Sequence, residues 1–88
     1  MAMHEPTFVP TYEEAVRECA RKLQDRRRVE ARAGFAARLG NDFEFITFSR
    51  YAKDMTVAYR EKVELTSFLF GVDAMDVYAD AEEMLEGE

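Results

Sequence analysis

The sequence predicts an all-α fold, and three observations support this prediction. Ala, Arg, Leu, Glu and Lys dominate residues 12–39, and these residues are strong helix formers. Apolar residues recur at spacings of three and four, which is the period of one buried helical face. Both prolines lie at positions 6 and 10, so none interrupts the chain beyond them. We therefore expect a long antiparallel helical hairpin at about 12–39 and 43–70, followed by a short acidic third helix at about 73–85.

The domain organisation follows from length and composition. The chain has 88 residues, of which 48% are hydrophobic and 34% charged, and this is typical of a globular chain with one core. Residues 1–10, which contain both prolines, are predicted to form an extended N-terminal arm. Residues 11–88 are predicted to form a single helical domain. We recognise no family motif in these residues.

The first helix is predicted to begin after Thr11. Thr11 followed by Glu14 matches a capping box, in which the hydroxyl and the carboxylate satisfy backbone N–H groups of the first turn. Gly40 favours the left-handed conformation that ends a helix. The apolar stripe breaks at Arg26 and Arg27, so the helix either bends there or its two halves pack on different partners. The part of the stripe before the break consists of Val16, Cys19, Ala20 and Leu23.

Residues 43–48 allow two interpretations. Their aromatic and branched side chains are typical of strands, but a strand needs a partner, and only residues 7–9 offer one within the chain. In the second interpretation, they begin a long amphipathic helix that is capped by Asp42 and ended by Gly71. The short connection at 40–42 then forces the two long helices to lie antiparallel. The predicted core stripe of this helix is Phe45, Phe48, Ala52, Met55, Tyr59, Val63, Thr66 and Phe70.

The third helix is predicted to be capped by Asp73 and to turn Met75, Tyr78 and Leu85, with Ala81 or Ala79, towards the core. Residues 71–88 contain seven acidic residues and no basic one, so the isolated helix repels itself. We expect it to dock on or near a basic surface, and a row of arginines on the first helix is a candidate. In the alternative, Glu13, Glu18 and Asp25 pair locally with Arg17, Lys22 and Arg28. The predicted basic face is Arg17, Arg21, Arg28 and Arg32, and the predicted acidic face is Asp73, Asp76, Asp80 and Glu83.

A second predicted surface is apolar and lies on the side of the second long helix opposite its core stripe. The third helix could cover Phe68 and Val57, but a helix of about 13 residues spans only about 20 Å. It cannot also reach Phe43 and Ile46, so we expect a partner chain there and a homodimer. In the alternative, the 43–48 stretch bends and its aromatic side chains all turn inward. The predicted partner-binding residues are Phe43, Ile46, Val57 and Phe68, which lie among Arg50, Lys53, Glu61 and Glu64.

Catalytic chemistry is not expected. The one histidine, His4, lies in the predicted arm, where it would not be held beside a nucleophile. The one cysteine, Cys19, lies on an apolar stripe and is predicted to be a small core residue. Structural zinc needs about four Cys or His ligands, and phosphate loops need clustered glycines. We therefore expect no enzyme activity, no catalytic residue, no cofactor and no metal.

Charge and composition narrow the function further. The net charge of −6 disfavours binding to nucleic acid or to anionic lipid. A single cysteine and the lack of a long apolar run predict a cytoplasmic protein without a membrane anchor. The predicted function is a non-catalytic protein–protein interaction module, such as a small regulator or a host-factor inhibitor of the phage or mobile-element type. Two alternatives are nucleic-acid contact through the basic face and nucleic-acid mimicry by the acidic helix.

Overall fold

A computed structural model describes residues 10–87, which form three helices and, within that range, no strand. Helix α1 spans Tyr12–Arg38, α2 spans Asp42–Phe70 and α3 spans Ala74–Glu86. The predicted hairpin with a short third helix is confirmed, and residues 43–48 are helical. The predicted arm at 1–10 and its possible strand at 7–9 lie outside the described residues, apart from Pro10.

Each helix begins with a side chain that caps its first turn. The Thr11 hydroxyl accepts a hydrogen bond from the Glu14 backbone N–H at 3.2 Å and donates one to the Glu14 carboxylate at 3.1 Å. Helix α2 is capped by Asn41, whose Oδ1 accepts from the Glu44 N–H at 3.1 Å, so the prediction that Asp42 is the cap is wrong by one residue. An amide oxygen caps as well as a carboxylate does. Asp73 caps α3 as predicted, accepting from the backbone N–H of Met75 at 2.8 Å.

Two glycines with positive φ make the turns between helices. Gly40 has φ 70° and Gly71 has φ 64°, a region in which a Cβ is strained. Beyond Gly71, the Ser67 side chain donates a hydrogen bond to the carbonyl of Val72, whose N–H in turn donates to the Ser67 carbonyl at 3.2 Å. This closed turn sends α3 back along the hairpin.

The hydrophobic core lies at the end of the hairpin that α3 covers. It has the predicted stripe of α1 on one side and part of the predicted stripe of α2 on another, and α3 contributes Val77 and Ala81. Of the predicted inner face of α3, Tyr78 and Leu85 are half-buried, whereas Met75 is 73% exposed. The prediction that Met75 faces the core is therefore wrong. Val77, two residues later, points to the core in its place. The buried core cluster is Val16, Cys19, Ala20, Leu23, Tyr59, Val63, Val77 and Ala81.

The other half of the hairpin, residues 26–57, contains only α1 and α2. We call it the two-helix arm. Between residues 26 and 57 the buried side chains are the small ones of Ala33 and Ala36, so α1 and α2 meet there without a third layer from the described residues. The radius of gyration is 16.6 Å, whereas a compact domain of this length has roughly 12 Å. The molecule measures 61 × 30 × 22 Å. The two-helix arm accounts for this elongation.

The break in the α1 stripe marks the boundary between the two halves. Helix α1 continues through Arg26 and Arg27 without interruption. The Arg26 guanidinium lies 5.6 Å from the centre of the Tyr59 ring, and its Nε donates to Glu30 at 3.1 Å. Both halves of α1 pack on α2, and the first half also packs on α3. The two halves therefore differ in their neighbours, although they share α2.

Candidate interaction surface

The outer face of α2 is exposed along its whole length. The exposed fractions are 80% for Phe43, 51% for Ile46, 39% for Val57 and 84% for Phe68. The structure thus places all four predicted partner-binding residues on the surface, and no inward bend of residues 43–48 buries Phe43. Helix α3 does not cover Phe68, because α3 packs over the opposite side of α2 at Tyr59 and Val63. We define the outer face of α2 as Phe43, Ile46, Arg50, Lys53, Val57, Glu61, Glu64 and Phe68.

A second group of exposed apolar residues lies where α1 turns into α2. Phe45 was predicted to belong to the core stripe, but it is exposed. By helical period Phe45 shares the side of α2 that carries Val63, but no third helix of residues 10–87 covers that side at Phe45. Sequence reasoning missed Phe35 and Leu39, although the limited length of α3 was a signal that could have found them. We define the hairpin tip as the exposed residues Phe35, Leu39, Phe43, Phe45 and Ile46.

Beyond the tip, aromatic and cationic side chains cover part of the arm. Phe48 is half-buried, and the Arg32 guanidinium lies 5.1 Å from the centre of its ring, a cation–π distance. Tyr51 packs beside Phe48 with ring centres 6.3 Å apart. The Arg32 side chain therefore lies over part of an aromatic ring.

The predicted basic face of α1 is partly neutralised within its own helix. Arg17 pairs with Glu13 at 3.2 Å, and Arg21 pairs with Glu18 at 3.2 Å. The predicted local pair of Glu13 with Arg17 is thus present. Glu18 pairs with Arg21 and not, as predicted, with Lys22. Such exposed pairs each contribute about 0–1 kcal/mol. With Arg32 held over a ring, only Arg28 of the predicted face has neither an ion pair nor a ring partner within the described residues.

The acidic side chains of α3 have several separate environments. Asp73 caps the helix, and Asp80 accepts a hydrogen bond from the Tyr12 hydroxyl of α1. Asp76 and Glu83 are exposed. Within residues 10–87 no ion pair joins α3 to α1, although Arg17 and Arg21 line a groove beside Met84 and Leu85. Helix α3 thus lies near basic side chains and is held mainly by apolar packing.

Two tyrosines at the α3 interface have raised pKa values. Burial and the hydrogen bond to Asp80 raise the pKa of Tyr12 to about 12. Burial and the nearby charge of Glu82 raise the pKa of Tyr59 to about 12. The Tyr59 hydroxyl is buried and has no hydrogen-bond partner within the described residues. Its ring packs edge-on against Tyr78 with ring centres 5.4 Å apart. Tyr59 therefore contributes to the core through the packing of its ring.

These pKa values predict that the free energy of unfolding decreases at alkaline pH. An unfolded tyrosine ionises at about pH 10, whereas Tyr12 and Tyr59 stay protonated in the folded chain until about pH 12. Above pH 10 the unfolded chain therefore binds fewer protons than the folded chain, and stability falls as pH rises from 10 to 12. Below pH 10 this contribution is fully present. Urea midpoints followed by circular dichroism between pH 8 and 11.5 would measure the slope.

The variant Y59F provides the control for this pH dependence. It removes one ionising group and a buried hydroxyl without a partner, so we expect near-neutral stability at pH 7 and a shallower fall above pH 10. Equal slopes for Y59F and the original chain would contradict the assignment to Tyr59.

The one cysteine of the chain lies in the core of the described residues. Cys19 is fully buried, and its sulfur lies 3.5 Å from the Thr66 hydroxyl. Burial raises the pKa of its thiol, which keeps it protonated and unreactive. His4 lies outside the described residues. Among residues 10–87 no group of three or more His, Cys, Asp or Glu side chains could hold a metal ion.

No helix in this part of the chain combines the length and the apolar character needed to cross a membrane. Comparison of the chain with family models, with curated proteins and with solved structures finds no match.

Proposed function

We propose that this protein is a non-catalytic protein–protein interaction module that binds another protein chain through the hairpin tip and the outer face of α2. The observation that carries the proposal is the exposure of large apolar side chains on the half of the hairpin that no third helix of residues 10–87 covers, with Phe43 as the most exposed residue of the tip. Exposed clusters of this kind mark interaction sites. Aromatic residues are also enriched in the centres of protein interfaces.

The biological role we propose is that of a small cytoplasmic regulator or host-factor inhibitor, of the kind that phages and mobile elements encode. Analogy of size supports this role. The buried Cys19 thiol is compatible with a reducing compartment.

Nucleic-acid contact through the basic face has less support, because Arg17 and Arg21 are engaged by carboxylates of their own helix. Mimicry of nucleic acid by α3 is weakened by the roles of Asp73 and Asp80 in capping and docking. Salt separates these alternatives. Binding driven by charge weakens steeply as salt rises, whereas binding through the hairpin tip should persist at high salt.

Site-specific photo-crosslinking tests the proposed function. A benzophenone amino acid in place of Phe43 should give a covalent protein adduct when the producing cells are irradiated. The same probe in place of Glu13, an exposed residue at the other end of α1, is the control and should give none. Mass spectrometry then identifies the adduct as a second copy or as another protein. Irradiation without any adduct at position 43 would overturn the proposed function.

Removing two apolar anchors should weaken binding while the fold is kept. We expect F43S/I46S to lower affinity for the captured partner by about thirtyfold or more, since truncating central aromatic and aliphatic anchors costs about 2 kcal/mol or more. Both side chains are exposed, so the helical circular-dichroism signal should be unchanged. Extensive loss of that signal would show that these residues belong to the core and that the surface has been misassigned.

A further inference from the structure

The outer face of α2 has a symmetric arrangement about Val57. Going towards the N-terminus, the next positions of this face follow at intervals of four, three and four residues, and the same intervals recur towards the C-terminus. At 100° per residue these positions lie within about 40° of Val57. Tyr59, Val63 and Thr66, which are buried, lie on the other side of the helix. The positions before Val57 are Lys53, Arg50 and Ile46, and those after it are Glu61, Glu64 and Phe68.

Charge is divided between the two halves of this face. Arg50 and Lys53 lie before Val57, whereas Glu61 and Glu64 lie after it, and all four side chains are exposed. The three ion pairs of the described residues all lie within α1, so none of these four charges is paired within residues 10–87. The same face is thus basic at one end and acidic at the other.

We propose that the partner of this face is a second copy of the chain, with the two α2 helices packed antiparallel about a two-fold axis at Val57. This inference rests on the proposed function and names the occupant of one of its surfaces. Antiparallel packing places Arg50 opposite Glu64 of the second copy and Lys53 opposite Glu61 of the second copy. A parallel pair would place like charges opposite each other, so charge complementarity selects the antiparallel arrangement.

The sizes of the facing side chains also fit the antiparallel register about Val57. Ile46 lies opposite Phe68 of the second copy, which would cover the most exposed apolar side chain of the described residues. Phe43 lies opposite Gly71 of the second copy, a residue around which a Cβ would meet no atom within 4 Å. Intervals of three and four residues keep these side chains on one face of the helix, and Ile46, Val57 and Phe68 follow each other at the spacing of an 11-residue repeat. The interface is isologous, as expected for a two-fold dimer.

The size of the face predicts a weak dimer. From Phe43 to Gly71, the outermost contact of this register, it is about 42 Å long at 1.5 Å per residue, and a helix is about 10 Å wide. The contact therefore covers roughly 420 Å² per copy, well below the roughly 800 Å² per partner of a standard stable interface. We expect reversible association with a Kd in the micromolar range.

Charge reversal in two separate variants tests the register. R50E places carboxylates at both positions of the Arg50–Glu64 contact, and E64R places guanidinium groups at both. Each variant alone should dimerise at least tenfold more weakly than the original chain in sedimentation equilibrium. An equimolar mixture of the two should associate again, to within a few-fold of the original Kd, because each copy then meets its opposite charge. R27E, which makes the same change of charge at an exposed site on α1, should leave the Kd unchanged.

A substitution on the two-fold axis provides an independent test of the dimer. V57D brings two carboxylates together across the axis and should abolish dimerisation, with the helical circular-dichroism signal retained because Val57 is on the surface. Unaltered dimerisation of V57D, or a mixture of R50E and E64R that stays monomeric, would overturn the antiparallel register.

The proposal and the function on which it rests fail in different ways. A purified original chain that is monomeric at 0.5 mM would overturn the second copy as occupant. If the probe at Phe43 still captures a different protein in cells, the interaction function stands.

Discussion

Replacing Val77 with Asp should release α3 from the hairpin. Val77 is fully buried in the core cluster, and an unpaired carboxylate there costs several kcal/mol. A domain of this kind is stable by only about 5–15 kcal/mol, so the loss is a large share of the whole. Amide hydrogen exchange should show protection of residues 77–84 in the original chain and near random-coil exchange in V77D.

Met75 provides a matched control for this prediction. M75D introduces the same charge in the same helix, but at a side chain that is 73% exposed, so we expect a change within about 0.5 kcal/mol. Because packing holds α3 in place, high salt should reduce its protection only slightly. Random-coil exchange of residues 77–84 in the original chain at low salt would contradict docking of α3 in the free protein.

Truncating Leu23 should be the most destabilising Leu-to-Ala change in the described chain. Leu23 is the largest of the fully buried side chains, and removing a buried leucine to its Cβ costs about 2–5 kcal/mol because a cavity remains. Urea unfolding of L23A, followed by circular dichroism, should show a midpoint much lower than that of the original chain and an unchanged slope.

Leu39 provides the contrast on the same helix. It is 66% exposed at the hairpin tip, so L39A should change stability by less than about 0.5 kcal/mol. Its effect should be on partner binding, measured as a lower yield of the crosslinked adduct at Phe43. Equal destabilisation by L39A and L23A would show that the tip carries part of the folding core.

The sequence predicted the surface residues more reliably where helical period alone decided their position. Phe43, Ile46, Val57 and Phe68 lie opposite the core stripe of α2 by period, and all four are exposed. Phe45 has the period of a core residue and is exposed nonetheless. Period assigns a residue to a face, but burial also needs a neighbouring element at the same height along the helix axis.

The sequence predicted which charged side chains of α1 lie within reach of each other, but not which of them form an ion pair. Arg17 has Glu13 one turn before it, and this pair forms. Glu18 has both Arg21 and Lys22 within reach, and the structure selects Arg21. Exposed pairs differ by fractions of a kcal/mol, so sequence spacing cannot choose between them.

By itself, the sequence determined the number of helices, their lengths and the glycine turns between them. These features follow from local signals: helix-forming composition, a cap at Thr11 and Asp73, and the left-handed conformations of Gly40 and Gly71. The tertiary structure alone decided how much of the hairpin is covered. Helix α3 is short and packs Val77 against one end, so the same amphipathic pattern is buried core there and exposed surface at the tip. Burial depends on which elements meet in space, which the helical period of a single segment does not contain.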